Sequence, residues 1–177
     1  MRAASVVAAV AAATALLAAG SARAELGPVT PAHFTVTLQG HVKAEPAAAW
    51  AALTQLPRWW NPEHTYSGDA SKLSFDAQAG GCWCERWADG RSVQHATVVM
   101  VLPGQALRVV GGLGPLQGLP VQGVLTLGVG KPVDGRTPVR WTYRVGGPAE
   151  AALDQLATPV DKVLSDQFQR YLGFVDK

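Results

Sequence analysis

Only two cysteines occur in the 177 residues, Cys82 and Cys84. With no second C-x-x-C pair and no H-x-x-x-H run, the chain offers no four-ligand set for a closed zinc site. No G-x-S-x-G elbow is present to anchor a Ser/His/Asp nucleophile. The glycines of GGLGPLQG and GVGKP lack the spacing of a phosphate-binding loop, which leaves turns, bulges and close backbone approach as their use. Lys and Arg form no cluster and aromatics no stripe among them, so nucleic-acid binding has no electrostatic footprint. Internal repeats are missing, and so is any linker able to split the chain.

What is present begins with MRAASVVAAVAAATALLAAGSARA. A basic Arg2, an apolar stretch and a small-x-small ending at Ala22 and Ala24 read as a signal peptide over residues 1–24, cleaved after Ala24. The apolar stretch is broken at Thr14 and gives out at Gly20 and Ser21, short of the roughly 20 strongly apolar residues a membrane span needs. The mature chain, residues 25–177, is expected to form one domain with no stable membrane span, periplasmic or secreted. Of the 15 Lys and Arg, Arg2 and Arg23 leave with the leader, so 13 basic residues face 13 acidic ones and the basic balance belongs to the leader.

Within the mature chain, FTVTLQGHV at 34–42 alternates, placing Phe34, Val36, Leu38 and Val42 on one face of a strand. Pro46 suits a first helical turn, and Trp50, Leu53 and Leu56 follow on a helical stripe. Strands are predicted at 71–77, 82–87, 91–102, 105–112, 121–129 and 137–145. Asp89–Gly90 is the hairpin signal between the second and third of these. Connections this short favour an antiparallel meander. From Pro148 the period changes: Leu153, Leu156, Val160, Val163, Leu164 and Phe168 recur at threes and fours, and Pro159 is expected to kink or restart the helix. A sheet with one apolar face and one long terminal helix to cover it give an α+β layer pair.

Chemistry concentrates in GGCWCERWADG at 80–90. On a regular strand Cys82, Cys84 and Arg86 share one face, and Trp83, Glu85 and Trp87 the other, the second row being the one expected to face inward. Strand residues two apart lie about 6.6 Å apart between Cα atoms, at the edge of what a disulfide spans, so a bond there needs a local bend or bulge. Free thiols are the expectation, with the disulfide and a metal site as alternatives. Between two tryptophans a dry Glu85 would have a raised pKa, suited to general acid work on a carbonyl-bearing ligand. An exposed or salt-bridged glutamate is the structural alternative. His95 shares an alternation with Val93, Val99 and Val101 and is expected to point inward as a base or a hydrogen-bond partner. His64 lies in the loop after Trp60, where a pocket mouth would be. All six tryptophans fall in residues 25–177, enough for a cavity wall as well as a core.

The order of these motifs is more informative than any one of them. The first strand, the Pro46-led helix, WWNPEHTYSGD, GGCWCERWADG, PGQALRVVGGLGPL and PVDKVLSDQFQRYLGF together resemble the START-like (SRPBCC) superfamily over residues 34–175. Within it the chain is most similar to the branch of polyketide cyclase/dehydratase-like proteins and homologues of the Hsp90 ATPase activator. The resemblance implies a helix-grip fold, a curved antiparallel sheet wrapped around a long C-terminal helix with a cavity between them. By position it implies Trp59 and Trp60 at the cavity lip, and Trp83, Glu85 and His95 on pocket-side strands. It puts Trp141 and Tyr143 deeper, and Leu156, Val160 and Leu164 on the closing helix. The leader sets the chain apart from a cytosolic Hsp90 partner, and no protein partner is indicated.

Two functions follow as expectations. The first is binding of a small hydrophobic or amphipathic molecule, with no cofactor and no metal. The alternative is a cyclase/dehydratase-type enzyme in which Glu85, with His95 or Tyr143, moves protons on a carbonyl-bearing ligand.

Overall fold

The computed structural model describes residues 22–177. The signal peptide expected over residues 1–24 lies outside the described residues up to residue 21. Eight strands form one antiparallel sheet: β1 (Arg23–Leu26), β2 (His33–Val42), β3 (Leu73–Phe75), β4 (Cys82–Arg86), β5 (Ser92–Leu102), β6 (Ala106–Val110), β7 (Gln122–Val129) and β8 (Thr137–Gly146). Their spatial order is β1-β2-β8-β7-β6-β5-β4-β3. Six successive strands thus run as a meander, and β2 closes against the last of them. Two short helices, α1 (Pro46–Ala52) and α2 (Leu56–Trp59), follow β2, and α3 (Leu153–Val175) ends the chain. The sheet is curved and unclosed, and it grips α3 in a helix-grip, START-like architecture.

The alternating strands bury the predicted faces. Phe34, Val36, Leu38 and Val42 of β2 point inward, as do Val139, Trp141, Tyr143 and Val145 of β8. Asp89 and Gly90 occupy the two central positions of the β4–β5 turn, both with positive φ, as a type I′ hairpin requires. Where α3 crosses β2 the strand carries Gly40, and a Cβ there would stand 2.8 Å from Leu172 Cδ1. That close approach brings Phe168 onto Trp141, with ring centroids 5.0 Å apart. Tyr171 packs on the same indole at 5.2 Å and donates its hydroxyl to Ala49 O at 2.7 Å. The C-terminal half of α3 is therefore seated firmly on the sheet.

Three expectations are corrected. First, of the kink or restart expected at Pro159, the restart does not occur: α3 runs as one helix through it; Pro159 is exposed, so water can solvate the carbonyl one turn earlier that loses its partner. Second, the inward row of β5 changes phase. Cys84 pairs with Gln94 and Trp83 with Ala96, so His95 is the extra residue of a bulge, and a second irregularity lies between Val98 and Met100. Val98 is consequently buried while Val99 is 48% exposed. Third, Cys82 and Cys84 are joined as a disulfide, with Cα atoms 5.3 Å apart, at the bulged register where a regular strand would hold them farther apart.

Two measurements check this description. Phe168→Ala should cost about 3–5 kcal/mol, since the ring is buried between helix and sheet with no group able to collapse into its place; urea unfolding reads it directly. Alkylation of the unfolded mature protein should find no free thiol before reduction and both cysteines after it.

Candidate functional site

A cavity of about 420 Å³ opens beside the N-terminal half of α3. Leu156, Val160, Val163 and Leu164 of α3 form its aliphatic wall. Facing them are Trp60, Tyr66, Trp83 and His95. Trp60 meets Trp83 edge-on with centroids 5.0 Å apart, and His95 lies 6.0 Å from Trp83 and 5.8 Å from Tyr66. Leu113 and Pro115, from the segment between β6 and β7, complete the rim together with Glu63 and His64. Such a mixture of apolar wall and few polar groups is typical of a small-molecule site.

Glu85 sits directly behind this wall with no solvent exposure. One carboxylate oxygen accepts the Ser67 N–H at 2.6 Å. The other accepts the Tyr66 N–H at 3.0 Å and lies 3.1 Å from His95 Nε2. Burial by itself raises the pKa of Glu85, but the donors from Ser67, Tyr66 and His95 outweigh it and hold the group below its ordinary value of 4.5. The raised pKa expected of a dry Glu85 is thereby corrected: the carboxylate is dry and ionised, because three donors solvate its charge. His95 is also lowered, from 6.5, with burial the main cause and the Glu85 carboxylate opposing it in part. At neutral pH the pair is therefore a carboxylate and a neutral imidazole.

These bonds also hold the cavity mouth. Residues 60–69 cross from α2 to β3 as a strap fixed at two points. Asn61 donates its backbone N–H to Gln167 Oε1 at 2.9 Å and its side-chain amide to Asp166 Oδ2 at 2.9 Å. Five residues on, Tyr66 and Ser67 dock on Glu85. Trp60 Nε1 donates to His64 O at 2.9 Å, which folds the strap over its own entry residue. The Tyr66 hydroxyl then reaches Gly114 O at 3.1 Å, closing the gap to the β6–β7 segment.

Of the residues singled out from sequence, Trp60, Trp83, His95, Leu156, Val160 and Leu164 line the cavity, and so does His64. Trp59 does not: it lies in the core 5.8 Å from Trp141 and donates Nε1 to Ala52 O. Trp141 is packed between Trp59, Phe168 and Tyr171. The Tyr143 hydroxyl is taken up in donating to Gly111 O and accepting from Leu113 N–H, both at 3.0 Å. Burial, only partly opposed by that N–H, pushes its pKa up to about 12. Among the described residues no three His, Cys, Asp or Glu side chains converge as metal ligands would.

Tyr66, Leu73, Leu113 and Val163 line the cavity without having been singled out. Val163 was legible, being one turn from Val160 on the stripe already traced along α3. Tyr66 carried no periodic signal, because its position follows from the long-range bond of its N–H to Glu85.

No family model matches the chain, and no curated protein matches it. Solved structures do. Protein MLL2253 from Mesorhizobium loti aligns with a TM-score of 0.59 at 19% identity, over 80% of this chain and 96% of that one. A solution structure from Arthrobacter aurescens aligns at 0.57 and 14%, covering 85% and 90%. CalU16 from Micromonospora echinospora aligns at 0.52 and 14%, covering 85% and 86%. At these identities the likeness establishes the shared fold, a curved sheet around a C-terminal helix.

The lowered pKa values of His95 and Glu85 contribute to the acid sensitivity of the protein, alongside the lowered Asp69 and Asp166. Each group binds a proton more readily when unfolded, so its contribution is complete above the unfolded value and is lost as pH falls towards the folded one. Stability should decline as pH drops below 6.5, through His95, and decline further below 4.5, through Glu85. Glu85→Gln should cost about 1–3 kcal/mol at pH 7 by turning an amide towards a backbone N–H. It should also flatten the limb below 4.5. Urea unfolding at a series of pH values reads both effects.

Proposed function

We propose that the protein binds one small hydrophobic or amphipathic molecule in the cavity between the sheet and the N-terminal half of α3. The observation that carries this reading is the separation of aromatic side chains into two groups. Trp59, Trp141, Phe168 and Tyr171 fill the core, while Trp60, Tyr66 and Trp83 are held around an open volume of about 420 Å³. A volume of that size lies within the ~300–1,000 Å³ range of small-molecule sites. The START-like fold is consistent with the same role, and the likeness to the polyketide cyclase/dehydratase branch belongs to this proposal.

The cyclase/dehydratase alternative asks Glu85 to exchange protons with the ligand. Glu85 is screened from the cavity behind His95 and Tyr66, and its ionised state suits it to receiving hydrogen bonds from the strap, not to acting as an acid. Binding needs neither role. The proposal extends to an exported, periplasmic or secreted protein: a chain whose two cysteines are bonded to each other suits an oxidising compartment. No helix among the described residues is long and apolar enough to cross a membrane.

N-phenyl-1-naphthylamine should bind the mature protein saturably at one equivalent, read by its fluorescence. Val163→Trp, which fills the volume from α3, should weaken that binding about tenfold or more while the protein stays folded. Unsaturable binding, or binding indifferent to the substitution, would refute the cavity as the site.

A further inference from the structure

The hydrogen bonds around Glu85 fix the protonation of His95 atom by atom, and with it the kind of polar group a ligand must bring. Both backbone N–H groups on Glu85 are donors by necessity, so its oxygens act as acceptors. A carboxylate oxygen 3.1 Å from His95 Nε2 requires the proton on that nitrogen. The neutral imidazole then has a bare lone pair on Nδ1. No group among the described residues bonds Nδ1, yet it is not among the buried polar atoms left without a partner, which are Trp83 Nε1, Arg136 Nε and Trp141 Nε1. His95 is 8% exposed and lines the cavity. Nδ1 is thus an open acceptor in that wall.

We infer that the cavity takes a neutral aromatic alcohol, its hydroxyl donating to His95 Nδ1 and its ring lying between the aromatic wall and the aliphatic face of α3. This rests on the binding role proposed above and sharpens it. A ketone or an ether presents only lone pairs and meets the lone pair of Nδ1 unpaired, a loss felt fully in a dry site. A carboxylate adds repulsion from the buried charge of Glu85 behind the imidazole and from Glu63 at the rim. An O–H satisfies both itself and the ring. The aromatic preference follows from Trp60, Tyr66 and Trp83, which surround the same end of the cavity as His95.

His95 is the specificity-determining residue in this account, and Glu85 a positioning residue that sets its tautomer. A matched set of naphthalenes separates the possibilities, each competed against N-phenyl-1-naphthylamine on the mature protein. 1-Naphthol should displace the dye at about tenfold lower concentration than 1-methoxynaphthalene, the difference one hydrogen bond makes. His95→Phe should erase that gap, each naphthalene being competed against the dye at the concentration that half-saturates the variant. Equal displacement by the two in the wild type, or a gap that survives His95→Phe, would overturn the inference and leave the cavity reading standing. Failure of the dye itself to bind saturably would remove both. Should His95→Phe not fold, nitrogen-15 spectra of labelled histidine in the wild type decide the matter. They should show His95 with a protonated Nε2 and a bare Nδ1 that shifts on adding 1-naphthol and not on adding its methyl ether. A bare Nε2, or an Nδ1 indifferent to 1-naphthol, would overturn it.

Discussion

A carboxylate with no access to water must either take a proton or be solvated by the protein, and Glu85 is solvated. Its three donors come from two places far apart in the chain, the strap at Tyr66 and Ser67 and the bulged strand at His95. The charge is not there for its own attraction. A buried ion with a missing partner is costly, so each donor must stay where it is while the others do. One side chain therefore fixes the mouth of the cavity, the orientation of the imidazole in its wall and the docking of strap on sheet.

The long helix divides the interior between packing and space. Its C-terminal half meets β2 at a glycine and drives Phe168 onto Trp141. Its N-terminal half has no such notch to settle into, and Leu156, Val160 and Leu164 look across a gap. The arrangement holds because the packed half carries large buried rings, whose removal from water offsets the contacts forgone in the other half. A second glycine serves the same division: a Cβ on Gly123 would lie 2.6 Å from Tyr143 Cε2. With that space left clear, the tyrosine ties Gly111 and Leu113 into the rim.

The sheet and the terminal helix that covers it were legible because alternation and three-four periodicity are local signals, and both survive in β2, β8 and α3; the helix-grip arrangement came only from the resemblance carried by the order of the motifs. The site was legible only in part, and the failures have physical causes. Trp59 and Trp60 are neighbours in sequence, and only the course of α2 into the strap sends one to the core and the other to the cavity. The bulge at His95 breaks the two-residue rule that made Val99 look buried, and the cysteines on the facing strand lie at the same irregular register, 5.3 Å apart between Cα atoms. The lowered pKa of Glu85 depends on two N–H groups 18 and 19 residues away, which no reading of the CWCERW strand alone can supply.

Between the two fixing points of the strap lie Pro62, Glu63, His64 and Thr65, and the last three of these face the cavity. Their backbone is held from both ends by bonds that do not involve their side chains, apart from local turns such as Thr65 on Pro62. Substitutions there leave the strand register and the helix seat untouched. The polarity and shape of the cavity mouth can therefore be altered at these positions independently of the scaffold that holds it.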